Sequence, residues 1–382
     1  MSSAHLCVLC GALIWCLSAT SALAAPKLLS LEDCLAIAAE KNLDIRKARE
    51  YANLVQGRYV EERAAALPQF GLSAGFGYSK DDSTKALYGA SQMQNSRTVD
   101  LTLSQPLYTW GKIGAALKAA EVGLKTADQQ LRLFRQAAYR DVSIAFYDVL
   151  LAKELYRLAQ ENLAQKERHH TEAKRKFEAG VATDYDLLAA EVERQNARPE
   201  LIRVGNSIRT SRERLRFLLG ADQQEVDVTG RIEVTPEQVP GFDESLKIAL
   251  DKRPELADQK LRIGIHQELV TIADADDKPR LDLKGSAGWH QLEVSNPGPT
   301  RQSDGPAWNA GIYLTFPFFD GLRSRGKTQQ AKSELRTSQL QEQKIKDAIT
   351  LELRMAHYAL TEAAEIISAL SGTVRQAERL LQ

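Results

Sequence analysis

The sequence echoes itself at one fixed spacing, and that echo constrains the fold more than any other feature. Ile37-Ala38 with Glu40-Lys41-Asn42-Leu43-Asp44-Ile45 returns 211 positions later as Ile248-Ala249 with Asp251-Lys252-Arg253-Pro254-Glu255-Leu256. The same offset joins Pro68 to Pro279, Gly77 to Gly288, Tyr78 to Trp289 and Pro106 to Pro317. Several landmarks at one gapless spacing predict two copies of a single unit. The first repeat covers 25–219, a linker rich in Gly and Pro covers 220–241, and an incomplete second repeat covers 242–382.

Within each copy the expected order is helix, strand, loop, strand, long helix. The first helix, over 31–65, opens at Ser30 as N-cap and stops before Pro68. Period two then takes over: Phe70, Leu72, Ala74, Phe76 and Tyr78 alternate with Gly71, Ser73, Gly75 and Gly77. Strands are expected over 69–79 and 98–108, joined by a polar loop, and in the second copy over 281–291 and 308–319. The second copy also predicts a helix over 242–277 and a long helix over 323–382. Strands of about 10 residues are long enough to cross a bilayer at a tilt, and aromatics such as Tyr78, Tyr108, Trp289 and Trp308 bound them. Two water-exposed hairpins packing one face on the helices satisfy the same alternation.

The long helix, over 112–179, carries Leu117, Leu124, Leu131, Ala138, Ala145, Ala152 and Ala159 in one heptad column, a seam that demands a partner helix. The chain reverses at Gly180-Val181-Ala182-Thr183 and returns over 184–219, with Pro199 expected to kink or break the return helix. The last helix presents an apolar seam of its own, through Leu351, Leu353, Ala356, Leu360, Ile367 and Leu370.

Fifty basic residues balance fifty acidic ones in 382, which argues against a sequence-independent nucleic-acid binder. Residues 1–24 read as an export signal, with an apolar run from Leu6 to Leu17 and small residues at Ala22 and Ala24. Cys7, Cys10 and Cys16 fall inside it, so only Cys34 belongs to the mature chain and no internal disulfide can form. After the signal no window holds the ~18 apolar residues of a spanning helix, which leaves β-strands as the route across a membrane.

Catalytic and metal motifs are missing. His169 and His170 are adjacent, and neighbouring helical side chains diverge by ~100°, so they do not share an ion with Glu172. Asp274, Asp276 and Asp277 lack the Gly and Glu of a calcium loop. Gly71, Gly75 and Gly77 lie in a strand rather than a phosphate-binding turn, and Cys34 sits among apolar residues. The expectation is no enzyme, no cofactor and no metal site.

Three segments resemble the TolC-like outer-membrane efflux family: Gln105-Pro106-Leu107-Tyr108 before Gly111, its echo Phe316-Pro317-Phe318-Phe319-Asp320-Gly321, and Phe177 to Ala190. The resemblance implies a mainly α protein with transmembrane β structure. In such a protein three subunits each give four strands to an outer-membrane β-barrel, and long antiparallel helical hairpins form a periplasmic α-barrel. It implies a passive homotrimeric conduit of a tripartite efflux or type I secretion system, embedded in outer-membrane lipid. It also implies partners: a periplasmic adaptor (membrane fusion) protein and an inner-membrane pump. Gly180, Val181, Ala182 and Thr183 match the family's adaptor-docking hairpin tip, and Asp186 its polar contact near the tip. Pro106, Gly111, Pro317 and Gly321 match the strand-to-helix junctions. A complete member continues past the counterpart of Gln382 through a second tip and return helix. The alternative function is a soluble periplasmic coiled-coil adaptor or scaffold.

Overall fold

The computed structural model describes residues 27–83, 85, 89, 91–220, 225–232, 240–295 and 299–380. The expected export signal, with Cys7, Cys10 and Cys16, lies outside the described residues, as do parts of the linker and of both strand-connecting loops. The chain divides into two compact units, Met1–Asn42 with Tyr139–Glu233 and Leu43–Ala138 with Val234–Gln382. The protein is mostly helical, with some sheet.

The first unit contains β1 (Lys27–Leu29), α1 (Leu31–Lys41), the later part of α3 (Lys112–Glu178), α4 (Asp184–Leu219) and β4 (Val226–Val228). Ser30 starts α1 through a capping box: its hydroxyl accepts from the Asp33 N–H, and the Asp33 carboxylate accepts from the Ser30 N–H at 3.1 Å. Val142, Ala145, Phe146, Val149 and Leu150 recur at helical spacing along α3 and close a core with Leu29, Cys34, Ala38, Leu215, Leu219, Val226 and Val228. β1 and β4 pair in parallel, Leu28 opposite Asp227. The stretch expected to be only a linker therefore carries a strand, because Val226 and Val228 have an apolar core to enter.

The second unit contains α2 (Leu43–Ala64), β2 (Gln69–Asp81), β3 (Gln92–Tyr108), the first part of α3, α5 (Phe242–Lys252), α6 (Pro254–Asp274), β5 (Arg280–Ser295), β6 (Arg301–Thr315) and α7 (Arg323–Leu380). Its helices approach through small residues and satisfied polar groups. Gln259 donates from Nε2 to the Ser338 carbonyl and hydroxyl at 2.8 and 2.9 Å, with both residues buried.

Several expected elements differ from the observed ones. The helix expected over 31–65 is two helices broken at Asn42, whose ψ of 127° leaves the helical region. Asn42 Nδ2 donates to the Leu218 carbonyl at 2.8 Å, a tertiary bond that offsets the interruption. The helix expected over 242–277 is likewise broken at Arg253, with ψ 126°, because a proline ring disfavours the helical conformation in the residue before it. Pro254 then opens α6 at a position where its missing N–H costs nothing. These two breaks are 211 residues apart. Pro199, by contrast, leaves α4 a single helix of 36 residues, since the bonds on either side outlast the one it removes.

All four membrane-length strands form one antiparallel sheet in the order β2-β3-β5-β6. They run 13, 17, 16 and 15 residues, longer than the alternation alone implied. The strand expected over 308–319 ends at Thr315, because Pro317 has no N–H to give and Phe318 N–H turns back to the Phe316 carbonyl at 2.9 Å. The two hairpins share one register. Gln69 opposes Ser104 and Arg280 opposes Thr315; Phe70 opposes Leu103 and Leu281 opposes Leu314. Each second pair is the first advanced by 211 positions.

Candidate functional site

The sheet sorts its side chains into two unlike faces. Reading across the strands, Leu72, Leu101, Ala287 and Trp308 lie side by side on one face, and Gly71, Thr102, Ser286 and Asn309 on the other. The apolar face continues through Phe70, Phe76, Tyr78, Val99, Trp289, Ile312 and Leu314, all of them exposed. Leu72 is 78% exposed and Trp308 80%. Burying such a face recovers roughly 25 cal/mol per Å² of apolar area, so a two-face strand pattern that leaves it open demands another apolar environment. From Phe70 to Tyr78 the band runs about 27 Å along the strand, or about 20 Å along the barrel axis at the usual tilt, most of the ~25 Å apolar band of outer-membrane barrels.

The opposite face is small and polar. Thr102 Oγ1 donates to the Gly71 carbonyl at 3.1 Å, Asn309 Nδ2 to Ser286 Oγ at 2.8 Å, and His290 Nε2 lies 2.9 Å from Asp100 Oδ1. A Cβ on Gly71 would sit 2.9 Å from Thr102 Oγ1 and one on Gly77 2.8 Å from Ser96 Oγ. Small residues on this face let the sheet curve towards it, as closure of a barrel requires. β2 and β6 are edge strands, each with one row of backbone groups unpaired within the sheet.

The hairpin tip is built from local bonds at both ends. Gly180 takes a left-handed φ of +74°, and Val181 N–H reaches the Lys176 carbonyl at 2.8 Å, closing α3. Thr183 opens α4: Asp186 N–H donates to its Oγ1 at 3.2 Å, and Asp186 Oδ2 accepts from the Thr183 N–H at 2.8 Å and hydroxyl at 2.7 Å. These bonds hold the Asp186 carboxyl below the usual carboxylate range. The resemblance makes Asp186 the polar contact near the tip; within this chain its carboxylate caps α4. With both helix ends closed, the tip presents Val181, 79% exposed, and Tyr185, 77% exposed. Behind it, Lys166 pairs with Glu193 at 2.9 Å and His170 with Glu191 at 3.1 Å. Arg194 donates two hydrogen bonds to Glu191 and, with Gln195, pulls its carboxyl down to about 2. His170 thus reaches across the hairpin to a carboxylate rather than toward a metal ion.

The strand-to-helix junctions also correspond at the 211 spacing. Trp110 and Gly111 both have positive φ, 52° and 79°, and so do Gly321 and Leu322, 69° and 71°. The counterpart of Gly111 is thus Leu322, and that of Gly321 is Trp110; only one residue of each left-handed pair is the glycine that adopts it without cost. Thr109 Oγ1 accepts from the Ile113 N–H at 3.4 Å, as Asp320 Oδ2 accepts from the Ser324 N–H at 2.8 Å. Pro106 lies in β3 at a register shift, opposite Asp282, whereas Pro317 lies beyond the end of β6.

Sequence reading missed Asp276. It follows α6 and accepts from Lys112 at the start of α3 and from Lys327 in α7, the latter at 2.7 Å. The hydrogen bond from Lys112, then that from Lys327, hold its carboxyl below the ordinary value. No spacing signal could reveal a clamp whose members are 164 and 51 residues away. Cys34 is buried, and burial pushes its thiol up to about 11, the opposite of a reactive thiolate. Among the described residues no group of His, Cys, Asp and Glu could hold a metal ion, and no helix is long and apolar enough to cross a membrane.

Comparison with known proteins gives a consistent outcome. The family model described as outer membrane efflux protein matches residues 35–221 and 246–382. Outer membrane protein TolC of Vibrio cholerae is 22% identical over 277 residues, covering 72% of this chain and 61% of its own length. Cobalt-zinc-cadmium resistance protein CzcC of Cupriavidus metallidurans is 24% identical over 347 residues, covering 91% and 76%. The CmeC outer membrane channel of Campylobacter jejuni superposes with a TM-score of 0.73 at 17% identity, over 86% of this chain and 71% of that one, a likeness of fold. The chain therefore spans about three fifths of the Vibrio cholerae relative and three quarters of the Cupriavidus one.

Proposed function

The chain belongs to the outer membrane efflux protein family, a protein of the outer membrane, and from that premise we propose that it is a passive conduit for efflux or type I secretion. Three copies each contribute the sheet β2-β3-β5-β6 to a closed barrel in outer-membrane lipid, apolar face outward and polar face toward the lumen. Each copy is built from two repeats, and its helices extend into the periplasm. The tip Gly180-Val181-Ala182-Thr183 docks a periplasmic adaptor, which couples the conduit to an inner-membrane pump. The conduit itself supplies no energy and makes or breaks no bond.

One observation carries this reading: a four-strand sheet with a largely exposed apolar face, a polar opposite face and two edges unpaired within the sheet. Four strands cannot close a barrel alone, about eight being the usual minimum, and copies joining edge to edge remove both free edges. A water-exposed scaffold would leave Leu72, Phe76 and Trp308 facing solvent, which the hydrophobic effect opposes.

Single cysteines at Trp308 and at Asn309, on opposite faces, test the assignment. In outer-membrane vesicles Trp308→Cys should resist a water-soluble maleimide and react with a lipid-soluble one, and Asn309→Cys the reverse. Equal aqueous labelling of both in folded protein, or recovery of the protein as a soluble monomer, would refute the conduit.

A further inference from the structure

Within each copy, the β3–β5 seam joins two hairpins of identical register, and β6 and β2 are the counterparts of β3 and β5 at the 211 spacing. We infer that the seam between copies repeats the β3–β5 seam: β6 pairs antiparallel with β2 of the next copy so that Ile312 opposes Phe76. The inference rests on the trimeric conduit reading and adds the register to it.

The register follows by displacement. Leu101 opposes Ala287 in the internal seam; 211 positions on from Leu101 is Ile312, and 211 back from Ala287 is Phe76. Val99 opposite Trp289 and Leu103 opposite Gly285 give Ala310 opposite Tyr78 and Leu314 opposite Ala74 in the same way. All six side chains belong to the apolar face, so the pairing keeps the lipid-facing band continuous across the seam. A slip of one residue would turn the next copy's band to the lumen.

A second observation points to the same seam. Gly288 opposes Asp100, and a Cβ there would lie 2.1 Å from the Val99 carbonyl oxygen and 2.9 Å from Asp100 Cα, both backbone atoms. Its counterpart Gly77 meets within its own copy only Ser96 Oγ, a side-chain end that can rotate away. The hairpin alone thus gives Gly77 no backbone reason to be glycine. The seam between copies supplies one: Gly77 takes the place of Gly288, Ala310 that of Val99, and Gly311 opposes Gly77. One step along on the polar face, Tyr313 opposes Gly75, whose missing side chain leaves room for the ring.

Disulfide trapping in the full chain, expressed and assembled in the outer membrane, tests the register. Directly opposed residues have Cα atoms about 4.5–5.5 Å apart, within disulfide reach, whereas diagonal neighbours two residues along are about 7–8 Å apart and beyond it. Mild oxidation of Ile312→Cys with Phe76→Cys, or of Ala310→Cys with Tyr78→Cys, should give a ladder of linked dimers and trimers on non-reducing gels. Ile312→Cys with Ala74→Cys, and Ile312→Cys with Tyr78→Cys, should link at least about tenfold less. The parent chain, with Cys34 buried, should not link. Each variant is first shown to run as a trimer under reducing, non-denaturing conditions, and two independent pairs guard against one failing to assemble. Linking by a displaced pair instead of the opposed ones, or none in an intact trimer, would overturn the register and leave the conduit standing. A parent chain that forms no trimer would remove both.

Discussion

Replacing Gly288 by alanine asks whether the β3–β5 seam is as tight as its geometry implies. The new Cβ would stand 2.1 Å from the Val99 carbonyl oxygen, 2.5 Å from Asp100 Oδ1 and 2.9 Å from Asp100 Cα. Normal carbon–oxygen contact is more than 3 Å, so the strands must open by about 1 Å. Two of the three atoms are backbone and no rotamer change relieves them. Overpacking of this kind costs about 1–3 kcal/mol, and opening the ladder forfeits one or two hydrogen bonds worth about 1 kcal/mol each. The sum is about 2–5 kcal/mol. The matched control is Gly57→Ala in α2, where nothing lies within 4 Å and alanine should stabilise the helix by about 0.5–1 kcal/mol. Urea unfolding in detergent micelles or liposomes, followed by loss of the heat-resistant folded band, reports both variants on one scale. If Gly288→Ala unfolds within about 0.5 kcal/mol of the parent, the close approach of these strands is wrong, and the template for the seam between copies goes with it.

Two further perturbations probe the ends of the helices. Asp276→Asn keeps the shape but removes the charge that gathers Lys112 and Lys327; with both lysines about half exposed, 46% and 50%, the loss should be about 1–2 kcal/mol. Because the folded carboxyl is held below its unfolded value, that stabilisation is complete above about pH 4 and vanishes as pH falls through the folded value. Parent and variant stabilities measured against pH should therefore converge in acid, and a constant gap would refute the clamp. Thr183→Ala removes the N-cap of α4, worth about 1 kcal/mol, and should raise proteolytic nicking between Glu178 and Asp186 about fivefold; an unchanged rate would mean the capping box does not hold the tip.

How much of this was legible in the sequence depends on how local each feature is. The alternation from Phe70 to Tyr78 could be read directly, because successive strand side chains point to opposite faces whatever the strand pairs with. The Thr183-x-x-Asp186 spacing carries a capping-box signal, and Pro254 carries a helix break that the sequence reading passed over. Asn42 gave no such sign: its break depends on the Leu218 carbonyl, 176 residues away. The pairing of Lys27–Leu29 with Val226–Val228 was invisible for the same reason, three residues being too short for any periodicity to speak. Pro106 and Pro317 occupy matching places in the sequence and yet differ, one inside a strand at a register shift and the other beyond a strand end. The difference follows from their neighbours within the chain: Pro106 lies opposite Asp282 of β5, while β6, the edge of the chain's own sheet, has no second strand to carry it to Pro317.

By itself the sequence determined the period of each segment, the positions where the chain must turn and the 211-residue spacing that relates them, since these depend on residues close along the chain. Only the tertiary structure decided the order β2-β3-β5-β6, the common register of the two hairpins, the break at Asn42 and the Asp276 clamp. Those depend on which distant backbone and carboxylate groups meet, and hydrogen-bond partners far apart in sequence leave no trace in local pattern.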